Sequence, residues 1–208
     1  MRALRRFVVV AGVAGLFLAP ITGAASASAA RSGAPERLVR LTGGNTSVTT
    51  APGIAAALLA HGIVPVATLP GTEGAQIGTG GVTVRFTFPV TGGWLNTSQL
   101  SATIEHQGGI LFLAPATGRQ IAVSNFVISV KRGLLTAIVN GNPKARVALL
   151  RLGLAHARIR AGQHYVTVSG IILRLTKTAA SALNATFSTT LFKAGLELGT
   201  ASTLLRFQ

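Results

Sequence analysis

Val82-Thr83-Val84-Arg85-Phe86-Thr87-Phe88-Pro89-Val90 alternates, with Val82, Val84, Phe86 and Phe88 on one face. Period-two alternation of β-branched and aromatic residues marks a strand with one side in a core and the other toward water. The pattern continues along the chain. Gln99 to Glu105 alternates. Gln120 to Val130 gives a long strand with Ile121, Val123, Asn125, Val127 and Ser129 on one side and Phe126, Ile128 and Val130 on the other. Leu134 to Val139, Arg146 to Gly153, His156 to Arg160 and Tyr165 to Leu175 extend the meander. His106-Gln107-Gly108-Gly109, Lys131-Arg132-Gly133 and Asn140-Gly141-Asn142-Pro143 supply the hairpin turns, and Thr91-Gly92-Gly93 reads as another.

Before this block the chain is less regular. Leu38 to Leu41 and Ser47 to Thr50 read as short strands, and Ile63 to Leu69 as an edge strand because Pro65 cannot donate to a ladder. Pro70 to Gly81 reads as a Gly-rich loop. Two short helices are expected. Thr49-Thr50-Ala51-Pro52-Gly53 leads into Ile54 to Gly62, with a Thr cap, proline in the first turn and a glycine stop. The second runs to Asn184 behind a cap at Thr176, and a last strand spans Leu198 to Phe207. A weak internal echo, strand then Ala/Leu helix then strand, links residues 47–68 and 168–205. The fold expected is mainly β, an antiparallel sandwich or open barrel with two short helices.

The N-terminal residues predict export. Arg2, Arg5 and Arg6 precede an apolar run from Phe7 to Ile21, and Ala25-Ser26-Ala27-Ser28-Ala29 offers the small residues a signal peptidase requires. The run is about 15 residues, short of the ~20 that span a bilayer. Residues 1–30 are therefore expected to be a signal peptide, and 31–208 one secreted or cell-surface β-rich domain with no membrane span. Removing the three leader arginines from nineteen Lys and Arg leaves sixteen against four acids, a net charge of +12.

The same composition argues against an enzyme. The four carboxylates, Glu36, Glu73, Glu105 and Glu197, are isolated, whereas glycoside hydrolysis needs a pair across a cleft. There is no Asp to orient a histidine in a hydrolase triad and no Gly-x-Ser-x-Gly elbow. With no cysteine, thiol catalysis and Cys metal sites are excluded. Lys131, Arg132, Lys144, Arg146, Arg151, Arg158 and Arg160 fall within thirty residues and form a candidate polyanion-binding set, Arg158 and Arg160 pointing the same way along a strand. Aromatics able to stack bases are scarce, which argues against specific nucleic-acid recognition. Of the histidines, His106 beside Glu105 in a hairpin is the best placed for a ligand. Trp94, after Gly92-Gly93, reads as a loop aromatic for a ligand or as a cover for one end of the core.

The stretches Phe86 to Gly93, Ile104 to Leu111, Leu175 to Asn184 and Phe192 to Ala201 resemble uncharacterised secreted β-rich proteins of actinobacteria and, more distantly, the Hta-type haem-binding domains. The shared features are a His-x-Gly-x-Leu hairpin and a late aromatic-x-x-Gly ending. The resemblance implies that His106 hydrogen-bonds an iron-ligating phenolate. The ligating tyrosine is implied on the strand that here carries Phe86 and Phe88, and a later tyrosine where this chain has Phe192; phenylalanine has no donor atom. The function expected is a non-enzymatic binding or envelope-associated module that contacts anionic cell-envelope polymers or a surface protein. The alternative is a carrier of haem or a small hydrophobic ligand, with His106 and Tyr165 near it.

Overall fold

The computed structural model describes residues 38–99 and 101–208; the expected leader and the linker after it lie outside the described residues. Twelve strands and two helices follow in the order β1 (Leu38–Thr50), α1 (Ile54–Ala60), β2 (Val64–Thr68), β3 (Thr72–Gly78), β4 (Gly81–Asn96), β5 (Ser101–His106), β6 (Gly109–Ala114), β7 (Arg119–Ser129), β8 (Leu134–Val139), β9 (Asn142–Gly153), β10 (Arg158–Ala161), β11 (Tyr165–Leu175), α2 (Lys177–Phe187) and β12 (Glu197–Phe207). All pairings are antiparallel. Eight strands close a barrel in the cyclic order β1, β4, β5, β7, β8, β9, β11, β12, with the β7–β8 pairing completing the ring. Of the two architectures expected, the barrel is the one formed, and it is closed rather than open. Closure removes the free edges an open sheet would present.

Four strands lie off the ring. β6 extends the sheet from β7 and β2 follows β6 at the edge, where Pro65 leaves no ladder donor missing. β3 pairs with the first half of β4, so the expected loop at 70–81 holds a hairpin arm, and every residue of β3 is exposed. Their exposure explains why no alternation betrayed it. β10 continues the line of β9 alongside β11.

Two bulges set which side chains enter the barrel. β7 buries Ile121 and Val123, then Phe126 and Ile128, because the pairing with β8 slips between Ser124 and Val127 and Asn125 adopts a positive φ of 51°. The two faces read as opposite in the sequence therefore both supply the core. One extra residue inverts an alternation, and Asn tolerates the left-handed conformation better than most. At Thr91-Gly92-Gly93 the chain does not turn. β4 runs on to Asn96 through a second bulge, where Gly93, at φ 117°, lies so close to the Thr103 carbonyl of β5 that a Cβ would collide with it. Trp94 is thus a strand residue, not a loop residue.

α1 begins at Gly53 without a side-chain cap, contrary to expectation. The Thr50 hydroxyl is instead committed to the Val84 N–H at 2.9 Å, tying β1 to β4. α2 has the expected cap: Thr176 Oγ1 accepts from Ala179 N at 3.1 Å and donates to Ala148 O at 2.7 Å. Asn184 staples the following loop, its amide donating to Phe192 O at 2.7 Å and accepting from Phe192 N at 3.0 Å. No helix among the described residues is long and apolar enough to cross a membrane.

Candidate functional site

Both helices pack over the end of the barrel where β1 finishes and β12 begins. Beneath them the interior is not filled. A cavity of about 330 Å³ is lined by residues that include Phe86, Val123, Leu150, Leu173, Leu183 and Phe192, and the surface it presents is apolar throughout. Thr178 and Ala182 of α2 also line it and are exposed, so it reaches the protein surface beside that helix. Close-packed interiors hold few voids larger than a water molecule. A space of this size is at the lower end of the range for small-molecule sites.

A second, smaller cavity of about 60 Å³ shares the walls Val48, Ile110, Leu149 and Leu150 with the first. His106, Thr46, Phe88 and Phe126 line it. His106 ends β5, and the strand alternation sends its ring inward while Glu105 faces solvent. The expected presentation of both on one turn does not occur. His106 is 4 % exposed. Its Nδ1 lies 3.2 Å from Phe126 O, which can only accept, so Nδ1 carries the proton. In the neutral ring Nε2 then accepts from the Thr46 hydroxyl at 2.7 Å, and Thr46 Oγ1 in turn accepts from Thr203 Oγ1 at 2.9 Å. Burial lowers the His106 pKa from 6.5 to about 4, the bond to Phe126 O opposing it in part. The ring is a neutral link in a buried polar chain that ties β5 to β7, β1 and β12. Thr46 is the residue sequence reasoning missed. Its inward position on β1, flanked by polar residues, offered no local signal.

The remaining sequence-predicted residues lie elsewhere. Tyr165 is 48 % exposed on the outer face, opposite Arg206 of β12. Trp94 is 52 % exposed on the outer face of β4, between Arg40 and Thr103. His106 and Tyr165 are therefore on opposite sides of the barrel wall. The basic set divides. Lys131 and Arg132 sit in the β7–β8 turn, Lys144 and Arg146 at the start of β9 at the other end of β8, and Arg151, Arg158 and Arg160 along the β9–β10 line. Arg146 is tied down, donating to Asn125 O at 2.9 Å. Among the described residues no group of three or more His, Cys, Asp or Glu side chains gathers to hold a metal ion.

This barrel fold has a counterpart among solved structures. The C-terminal domain of HtaA from Corynebacterium glutamicum superposes with a TM-score of 0.56 at 14 % identity, covering 82 % of this chain and 99 % of that one. The barrel has the HtaA C-terminal fold. The domain-swapped dimer of a histidine-to-alanine variant of that HtaA domain is also similar, with a TM-score of 0.48 at 17 % identity over 70 % of this chain and 84 % of the other. No protein-family model matches the chain, and no curated protein matches it in sequence. The distant Hta likeness read from the hairpin and the late aromatic ending holds at the level of fold.

The HtaA-like barrel can be tested for the haem that the Hta resemblance implies. The oxygen facing His106 belongs to Thr46, an aliphatic hydroxyl, and not to a phenolate. Phe86 and Phe192 line the apolar cavity, and Phe88 packs edge-on to Phe126 with ring centroids 4.9 Å apart. The chain's one tyrosine, Tyr165, is outside the barrel, and both nitrogens of the interior histidine are engaged. These residues do not fit an axially ligated haem, because neither cavity is lined by a tyrosine or by a histidine with a free nitrogen for iron.

Proposed function

We propose that this protein is an extracytoplasmic, non-enzymatic carrier that holds a small apolar molecule in the barrel cavity beneath α1 and α2. The observation that carries the reading is the 330 Å³ cavity with an apolar surface and an opening beside α2. At about 24 cal/mol per Å³ of unfilled apolar space, the empty cavity would cost up to roughly 8 kcal/mol, as much as a whole domain's net stability. An apolar occupant recovers that cost. The ligand class is an uncharged hydrocarbon body, such as a medium-length acyl chain or a small fused-ring compound. Iron ligation plays no part in holding it. The predicted leader supports a site of action outside the cytoplasm, and the absence of paired carboxylates or an activated nucleophile among the described residues supports binding rather than turnover.

The test is titration of the purified protein with N-phenyl-1-naphthylamine, with hemin in parallel. Saturable one-to-one fluorescence enhancement is expected, weakened at least tenfold in Val147→Phe, which fills the cavity from β9. Hemin should give no saturable Soret shift. Absence of probe binding would overturn the carrier reading, as would equal binding by Val147→Phe. A one-to-one Soret shift lost in His106→Ala would replace it with the haem reading.

A further inference from the structure

On the opposite side of the wall from the cavity, the outer faces of β4, β1, β12 and β11 form a shallow groove of about 400 Å³. We infer that this groove binds an acidic glycan, a linear polymer of hydroxylated rings bearing carboxylate, sulfate or phosphate. The groove is lined by the hydroxyls of Ser47, Thr49, Thr167, Thr200 and Ser202 and the amide of Asn45, with Leu204, Ala201 and Gly170 among them, and the adjoining Thr72 and Thr87 extend the hydroxyl rows beyond it. Thr72, Thr87, Ser47 and Ser202 stand opposite one another across four strands, with Ser47 Oγ and Thr87 Oγ1 3.0 Å apart. A second row runs Arg85, Thr49, Thr200, and a third Arg160, Thr167, Leu204, Asn45. Neighbouring rows lie about 7 Å apart and neighbouring strands about 5 Å apart. Hydroxyls at those spacings both donate and accept, which matches the hydroxyl pattern of a sugar chain better than that of an apolar partner.

Cations border this floor on both sides. Arg85 flanks it on β4, and Arg158 and Arg160 on β10, all exposed. Arg206 lies beyond on β12, beside Tyr165, whose ring rests on Gly162, where any side chain would displace it. Guanidinium forks suit carboxylate, sulfate and phosphate, and a half-exposed aromatic offers a face for a sugar ring. None of the described carboxylates opposes them. Glu73 faces the other side of the β3–β4 hairpin and accepts from Ala67 N, Glu105 lies beside Gly92 in the other half of β4, and Glu197 is paired with Arg174 at 3.2 Å. The chemistry is independent of what fills the barrel. A single aromatic at this end is too few for base stacking, so a nucleic acid is the competing outcome rather than the expected one.

The experiment compares retention of the full chain on heparin, polygalacturonate, neutral dextran and single-stranded DNA at several salt concentrations. Retention on both acidic glycans is expected, with none on dextran. Arg158→Gln with Arg160→Gln should weaken glycan binding at least tenfold, and Tyr165→Ala several-fold. Lys131→Gln with Arg132→Gln removes the same charge on the wall opposite β1 and should change it less than twofold. All five positions are exposed or part-exposed, and far-UV circular dichroism checks that each variant folds. Equal losses in the two double variants would overturn the proposal in favour of diffuse charge attraction. Tighter binding to DNA than to either glycan would overturn it in favour of a nucleic-acid surface.

Discussion

Acidification should destabilise this protein through His106. The folded ring stays neutral down to about pH 4 because it is buried, whereas in the unfolded chain it takes a proton near 6.5. A folded pKa below the unfolded one means that the unfolded state binds the proton first. Stability from this group is therefore complete above about pH 7, declines as the pH falls from 6.5 to 4, and is constant below that. Each pK unit is worth about 1.4 kcal/mol, so the full decline is about 3 kcal/mol, and about 2 kcal/mol is already lost at pH 5. Protonation would also reverse the buried chain, with Nε2–H donating to Thr46 Oγ1 and the Thr46 hydroxyl turning to Thr203 Oγ1. The assay is urea unfolding followed by circular dichroism at pH 7.5, 6, 5 and 4.5, for the natural chain and for His106→Gln. The variant starts less stable but should lose about 2 kcal/mol less between pH 7.5 and 5. Parallel loss in both proteins would refute the argument, as would a His106 imidazole that titrates near 6.5 by NMR.

Two further substitutions probe the scaffold. Thr176→Ala removes the cap of α2 and the bond to Ala148 O together, and should cost about 2 kcal/mol in urea unfolding while weakening apolar-probe binding, because α2 roofs the cavity. Gly93→Ala sets a Cβ against the Thr103 carbonyl at a positive φ, and should cost at least about 3 kcal/mol or abolish soluble expression; an unchanged melting temperature would show that β4 and β5 can shift apart there.

The strands were legible wherever one face was buried and the other wet. Phe86, Phe88 and Val90 announce β4, Pro65 announces an edge, and Thr176 announces a helix, because each acts through its own local backbone. What was hidden depends on partners distant in sequence. The slip at Asn125 exists only against β8, the course through Gly93 only against β5, and closure of the ring only through β7 meeting β8. The cavity was equally invisible, since every residue around it reads as ordinary core. Its apolar walls are recorded in the sequence, but the volume they leave is not. His106 stands in the sequence as a hairpin residue beside Glu105, and its burial and its partner Thr46 follow from β1 lying across from β5 through β4. The basic residues are close in sequence, and the fold sets them in the β7–β8 turn, at the start of β9 and along the β9–β10 line, with Leu152 N of β9 donating to Gly133 O of that turn at 2.9 Å.

The pairing of the first ring strand with the last has a geometric outcome. Leu41 stands opposite Phe207, while Thr50, shortly before α1, stands opposite Gly199, near the start of β12. Chain entering at Leu38 and chain leaving after Phe207 thus share one pole, and the mouth beside α2 occupies the other. A support joined at that pole would leave the mouth facing away from it. Joining the two ends by a short linker and reopening the chain at the β7–β8 turn should leave the walls of the barrel in place.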